Sequence, residues 1–409
     1  MPRTIMNIDF DDEIQIREQP CTVEDISEML RKCKDMGVDT IVWRCTTLGR
    51  ADYRSNVMTR ADAPYDRTDA EAEFGSCRWL KGDAEMIEDY VRRRTGYHEK
   101  SRRILTDYDP PAVARELTAS FGMELYLWLD IFDEYFPGLG SRFLREHPEC
   151  QWISRDGERH FRGLRCYGFP EAVENQLEVV RELTAYEPDG LYLSTSCHSR
   201  HCNREGEWNG YGFEKPVVDR YRQRHGTGIR EADFDTKAWH RVKGEFVTEL
   251  CSRIKDILRP LGQKLMLPAP IGDHKVWDWP LFSGQPIAQY HVDWRAHVDQ
   301  GIADSLILGE YQPVWREIPP GHWRRLAEEM GITDLRLMML ETQAAETCRA
   351  YAAGRCELYY WTGWMRTRKN IERVLGCIDR AMSTQPMNGV VLHELMSFER
   401  ADFFPRLGA

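Results

Sequence analysis

Apolar and polar positions recur along the chain in one repeating unit. A short β-branched or aromatic run is followed by a polar loop, then apolar residues three to four positions apart, then a glycine and the next run. The first run is IMNIDF, residues 5–10. After it, Thr22 with Asp25 three positions on predicts a capping box. The helix it opens carries Ile26, Met29, Leu30, Cys33 and Met36 on one face and ends at Gly37. The second run is TIVWRC, residues 40–45. Asp109-Pro110-Pro111 then opens a helix in which Val113, Leu117 and Phe121 recur every four residues, with Gly122 as its stop. Further runs occupy residues 124–130, 190–195, 264–268, 305–310, 335–341 and 389–394. Val242, Phe246, Leu250 and Ile254 stripe the helix between the fourth and fifth.

Near-continuous apolar strands alternating with amphipathic helices predict a parallel sheet covered by helices. Eight such units predict an α/β chain closed into a (β/α)8 TIM barrel, one domain over residues 1–409, with long βα-loop insertions at about 46–108 and 131–169. A ninth run, ELYYW at 357–361, disturbs the count. It could serve as strand eight; we assign it instead to a piece inserted after strand seven (335–341), because a helix over 370–382 separates it from the last run. A doubly wound open sheet is the alternative architecture, and no G-x-G-x-x-G turn follows the first run to give it a dinucleotide site.

Composition narrows the function. The net charge of -11 and short basic pieces flanked by acids argue against a nucleic-acid partner. No apolar stretch approaches the ~20 residues of a membrane helix. The N-terminus shows no charged region followed by an apolar one, so no signal peptide is expected. The twelve cysteines are scattered, and Cys21, Cys33, Cys45 and Cys377 fall on apolar faces, as reduced buried thiols do. These features suit a cytoplasmic protein, or a secreted one whose leader is absent. Helix-face composition does not separate inter-helix packing from subunit contacts, so a homo-oligomer stays open.

Acids recur at the ends of the predicted strands: Asp9, Asp130, Glu310, Glu341 and Glu394. Strand C-termini of a closed barrel converge on one mouth. Glycosidic cleavage needs two carboxyl groups there, one protonated for the leaving oxygen and one ionised as nucleophile or base. A single acid in such a place can equally serve a salt bridge. Aromatic faces that suit the C–H faces of sugars stand beside these acids: Trp43, Tyr53, Trp128, Tyr311, Trp315, Tyr360, Trp361 and Trp364. Arg44 and Arg165 could hold an anionic sugar group through a bidentate contact. The polar cluster STSCHSRHCN, residues 194–203, follows strand four. Its C-x4-C spacing, with His198 and His201 inside, is not a usual zinc arrangement, and no metal site is assigned. Either histidine could hydrogen-bond a polar substrate or act as a general acid or base.

The order IMNIDFDD, TIVWRCTTLGRADYRS, MELYLWLD resembles the glycosyl-hydrolase-like TIM-barrel proteins of the family 10-like group. Gly49, Tyr53 and Ser55 match that family's G-x-x-x-Y-x-S turn. EPDGLYLSTSCHSRH with YGFEKPVVDRYRQRHG resembles its strand-four segment and the following helix. HVDWRAHVDQGIADSLILGEY resembles the segment leading into strand six, and GVVLHEL its strand eight. The resemblance implies a barrel acting on oligo- or polysaccharides without a cofactor. It also implies an acid at the end of strand four, where this chain has Ser194 or Ser196.

The expected function is therefore a glycoside hydrolase, with Glu310 and Glu341 as the catalytic pair and Asp130 and Glu394 in reserve. Asp9, Arg44, Tyr53, Trp128, His198, His201, Tyr311 and Trp361 are the expected substrate contacts. A metal-dependent lyase or isomerase, with His198, His201, His291 and mouth carboxylates as ligands, is one alternative. A barrel that only binds carbohydrate, for want of the strand-four acid, is the other.

Overall fold

The computed structural model describes residues 2–63, 83–135, 140–195, 211–230, 234–269, 292–308, 354–361 and 388–405, with isolated positions at 368, 371, 372, 375 and 407. Eight parallel strands close into a barrel in chain order. They are β1 (Arg3–Ile8), β2 (Thr40–Arg44), β3 (Glu124–Asp130), β4 (Gly190–Ser194), β5 (Lys264–Ala269), β6 (Ser305–Leu308), β7 (Glu357–Trp361) and β8 (Gly389–Leu392). The chain has the (β/α)8 TIM-barrel fold that its periodicity predicts.

One strand differs from expectation. Leu358 and Tyr359 of β7 lie opposite Leu306 and Ile307 of β6, and β7 in turn pairs with β8. Glu357–Trp361 is therefore strand seven and not an inserted piece. The run 335–341 is none of the eight strands, and it falls outside the described residues. Both runs are short, apolar and bounded by turn residues, so periodicity alone does not rank them. Hydrogen-bond pairing does.

Side-chain alternation divides the apolar residues between two cores. Ile5, Val42, Tyr126, Trp128, Tyr192, Met266, Ile307, Tyr359, Trp361 and Val391 point inward and fill the barrel. The other face of each strand, including Met6, Ile8, Ile41 and Trp43, packs against the helices. Closure brings Gly389 of β8 opposite Arg3 of β1. A Cβ on Gly389 would stand 2.0 Å from the Arg3 carbonyl oxygen, so the seam requires glycine.

The helices follow their sequence signals. A short helix, α1 (Phe10–Ile16), leaves β1 directly. Helix α2 (Val23–Asp35) opens with both bonds of the Thr22–Asp25 capping box. A long helix, α3 (Ala84–Asp107), lies within the first insertion and precedes α4 (Pro110–Ser120). Nothing in the sequence reading announced α3, because its buried face carries Arg94, Tyr97, His98 and Ser101 among the apolar residues and blurs the period. Helix α5 (Pro170–Thr184) precedes β4, and α6 (Lys215–His225) and α7 (Thr236–Leu258) precede β5. Val242, Phe246, Leu250 and Ile254 of α7 are all buried, as their stripe predicts. A short α8 (Trp294–Asp299) leads to β6, and α9 (Leu395–Ala401) follows β8.

Both insertions leave the C-terminal ends of strands. The first contains a small sheet of Thr46–Thr47, Arg50–Ala51 and Thr59–Arg60 before α3. The second contains a helical turn, Arg142–Glu146, and an antiparallel pair, Gln151–Ile153 with His160–Arg165. Among the described residues no helix is long and apolar enough to cross a membrane. The described cysteines, Cys21, Cys33 and Cys45 among them, are free and buried, while Cys377 lies outside the described residues.

Candidate active site

The mouth is organised by Arg44, the last residue of β2. Its side chain is 2% exposed and points inward two residues beyond Val42. Nη1 donates to Asp9 Oδ2 at 2.6 Å. Nε and Nη2 donate to Asp130 Oδ2 at 3.0 and 2.6 Å, and Nε also reaches the Thr46 carbonyl. Asp133 adds a third carboxylate at 3.5 Å. The guanidinium also lies 4.8 Å from the ring of Trp128. A buried arginine is tolerated only with such compensation, and here Asp9 comes from the end of β1 while Asp130 and Asp133 come from the end of β3 and just beyond it.

Asp130 ends β3 with both oxygens engaged. Trp128 Nε1 donates to Oδ1 at 3.0 Å, while Arg44 holds Oδ2. Below it an aromatic cluster spans the mouth floor. Trp361 stacks on His393 at 4.7 Å, and Trp128 stands edge-on to Trp361 at 6.5 Å and tilted to Tyr192 at 5.6 Å. Trp128 and Trp361, both expected as sugar contacts, come together here, but each is fully buried and forms floor rather than open wall.

Asp9 follows β1 as the residue before α1, and Glu394 stands two residues past β8 as the residue before α9. Neither uses its carboxylate to cap its helix. The two lie close, and Asp12 joins them. One carboxylate oxygen from each of the three falls within 4.8 Å of the others. Burial pushes the Glu394 carboxyl well above its ordinary range; Asp12, Asp9 and Glu13 push the same way, and Arg44 opposes them. Burial likewise raises Glu13 to about 8, with Glu399 adding to it and Arg17 opposing.

Behind α1 lies a second buried polar group. Arg94 of α3 approaches Asp11 at 3.5 Å, and the Tyr97 hydroxyl donates to Asp52. Burial raises both Asp11 and Asp52, so α1 is flanked by carboxyl groups on two sides. The tyrosine donor gives Asp52 its described hydrogen bond.

The remaining expected residues divide. Tyr53 is buried, and its hydroxyl donates to Glu182 of α5 at 3.1 Å. Ser55 Oγ and the Asn56 amide donate to the same carboxylate at 2.5 and 2.7 Å. Gly49 of the same turn has φ +80, and a Cβ there would meet the Glu134 carbonyl oxygen at 2.5 Å. The Gly49–Tyr53–Ser55 motif thus fastens the first insertion to α5 in this structure. Arg165 is buried, with Nη2 donating to Glu134 at 2.8 Å and Nε in ion-pair contact with the same carboxylate at 2.7 Å. Trp43 and Tyr360 face the helix layer. Glu310, Tyr311, Glu341, His198, His201, His291, Trp315 and Trp364 lie outside the described residues. Ser194 ends β4 opposite Asp130, fully buried.

Sequence reading missed Asp12, Asp133 and His393. The run Asp11-Asp12-Glu13 directly after a strand-end acid was a visible signal for the first. His393 could have been placed by alternation from Val391.

The fold has solved counterparts. The glycoside hydrolase domain of PgaB (BpsB) from Bordetella bronchiseptica superposes with a TM-score of 0.54 at 11% identity, covering 97% of this chain and 96% of that one. The β-galactosidase of the psychrophilic Marinomonas ef1 gives a TM-score of 0.53 at 10% identity, covering 96% of this chain and 54% of that one. This chain thus spans about half of the galactosidase's length. No protein-family model matches the sequence, and no curated protein matches it. Structural neighbours of the barrel are glycoside hydrolases; at these identities the likeness is one of fold.

Proposed function

We propose that the protein is a glycoside hydrolase acting on an oligo- or polysaccharide at the C-terminal mouth of its barrel. The observation that carries this reading is the convergence of Asp9, Asp130 and Glu394 around Arg44, above the floor of Trp128, Tyr192 and Trp361. Carboxyl groups converging over an aromatic surface suit cleavage through an oxocarbenium-like transition state. The family 10-like motifs of the sequence support the same class.

In this reading Asp130 is the ionised member of the pair. Arg44 supplies its counter-charge, and Arg44 and Trp128 together fix its carboxylate, as a nucleophile or base requires. Glu310 follows β6 in the sequence and is our proton donor on that ground. Glu341 falls outside the described residues, and its run is not among the eight strands of the ring. Turnover of a verified glycoside should fall by about 10²-fold or more in Asp130→Asn and in Glu310→Gln. Unchanged turnover in both variants would sink the assignment. Ser194 at the end of β4 favours one other reading, a barrel that binds glycans without cleaving them; binding by calorimetry with no product across a glycoside panel would establish it.

A further inference from the structure

We propose that Asp9, Asp12 and Glu394 bind a hard divalent cation, of the calcium, magnesium or manganese kind, on the rim of the mouth where β1 meets β8. This inference does not depend on the hydrolase reading.

The first argument is geometric. One oxygen from each residue lies within 4.8 Å of the other two. Oxygen ligands stand about 2.0–2.6 Å from such ions, so two ligands on opposite sides of one ion are at most about 4–5 Å apart. The three oxygens fit around a single centre. All are carboxylate donors, with no imidazole or thiolate among them, which selects hard cations over zinc or copper.

The second argument is what the carboxylates lack. Glu394 is 1% exposed, and neither of its oxygens has a hydrogen-bond partner among the described residues. Asp9 Oδ2 accepts from Arg44, while Oδ1 is buried with no partner among the described residues. Buried carboxylate oxygens are nearly always bonded, because desolvation without compensation is costly. Here three orphaned acceptors belong to one cluster. Asn7 adds to the deficit. It is fully buried on the inward face of β1, two residues before Asp9, and both atoms of its amide lack a partner. Its carbonyl oxygen is the neutral donor type that completes hard-cation shells.

Charge points the same way. Glu13 brings a fourth carboxylate to the trio. Arg44 is shared with Asp130 and Asp133, and Arg17 serves Glu13 and Asp25. A divalent ion would supply the missing positive charge. Asp12, half-buried at the edge of the cluster, gives the ion a route from solvent. The bound ion would tie α1 and α9 across the closing seam. Through Asp9 and Arg44 it would also set the position of Asp130.

The test uses the full chain, stripped with a chelator and dialysed, then titrated with CaCl2, MgCl2 or MnCl2. Calorimetry and elemental analysis should give one ion per chain for at least one metal, and the thermal midpoint should rise with its concentration. Asp12→Asn, at the solvent edge, should weaken binding by roughly tenfold or more. Glu394→Gln should abolish the thermal response to metal, whether or not the variant itself is more stable. A control, Glu372→Gln on the exposed surface, should bind as the parent does. No heat and no thermal shift with millimolar metal would overturn the proposal, leaving Glu394 neutralised by a proton. Binding undiminished in both Asp12→Asn and Glu394→Gln would overturn it as well. Loss of hydrolase activity plays no part in these readouts, so failure of the hydrolase reading leaves them intact.

Discussion

Arg44 binds one oxygen of Asp130 from two of its nitrogens, Nε at 3.0 Å and Nη2 at 2.6 Å, while its third nitrogen holds Asp9. The three contacts use the planar fork of a guanidinium, which an ammonium cannot reproduce. Arg44→Met leaves several carboxylates facing one another without their counter-charge. It should destabilise the chain by about 3–5 kcal/mol in urea unfolding, in the range of broken buried pairs. Arg44→Lys restores the charge but not the fork and should fall between. Equal stability of Lys and native forms would mean that charge alone matters here.

The contacts of Tyr53, Ser55 and Asn56 with Glu182 predict a local effect. Glu182→Ala removes one acceptor from three donors. Two of the donors are hydroxyls that water can reach once the segment loosens, so the global cost should be about 1–3 kcal/mol. Amide exchange over residues 53–63 should speed up while that of the barrel strands stays unchanged. Uniform acceleration across the barrel would show that this contact is part of the global core instead.

Lys243 gives a pH prediction. Its ammonium is buried 4.4 Å from the ring of Trp152 and 4.1 Å from that of Trp239, with no hydrogen-bond partner among the described residues. Burial pulls its pKa down to about 7, with Glu214 and Cys166 opposing. Burial pushes Glu214 up to about 7, against the bond it accepts from the Ile153 amide. In the unfolded chain the lysine keeps its proton to about pH 10.4. Between pH 7 and that value the unfolded state therefore binds more protons, and this group makes stability rise with pH, by at most about 1.4 kcal/mol per unit. The double variant Glu214→Gln/Lys243→Met should be as stable as the parent or more so at pH 7, because it removes two buried ionisable groups whose desolvation is costly. Its advantage should shrink as the pH is raised toward 10. A stability difference that is flat between pH 7 and 10 would mean that Lys243 stays charged in the fold.

Local sequence carried the barrel because each strand and helix announces itself over a few residues. The capping box at Thr22, the stripe from Val242 to Ile254 and seven of the eight runs expected as strands are such signals, and the structure contains them. The exceptions are instructive. Helix α3 hides its period because the face it buries is polar, matched to Asp11 and Asp52 on other elements. The seventh place in the ring belongs to Glu357–Trp361, which pairs with β6 and β8.

The candidate site was legible only in outline. Strand-end position put Asp9, Asp130 and Glu394 at one mouth, and the structure brings them together around Arg44 of β2. It did not reveal that Tyr53 turns to Glu182, or that Arg165 is taken by Glu134.

By itself the sequence determined the class of fold and the end of the barrel that carries the acids, since periodicity and strand polarity are local properties of the chain. Only the tertiary structure decided which carboxylates meet. Asp9 and Glu394 stand near opposite ends of the sequence, and closure of β1 on β8 makes them neighbours. The desolvation of Glu394, and the pull of Arg44 against it, are sums over distances that no local pattern encodes.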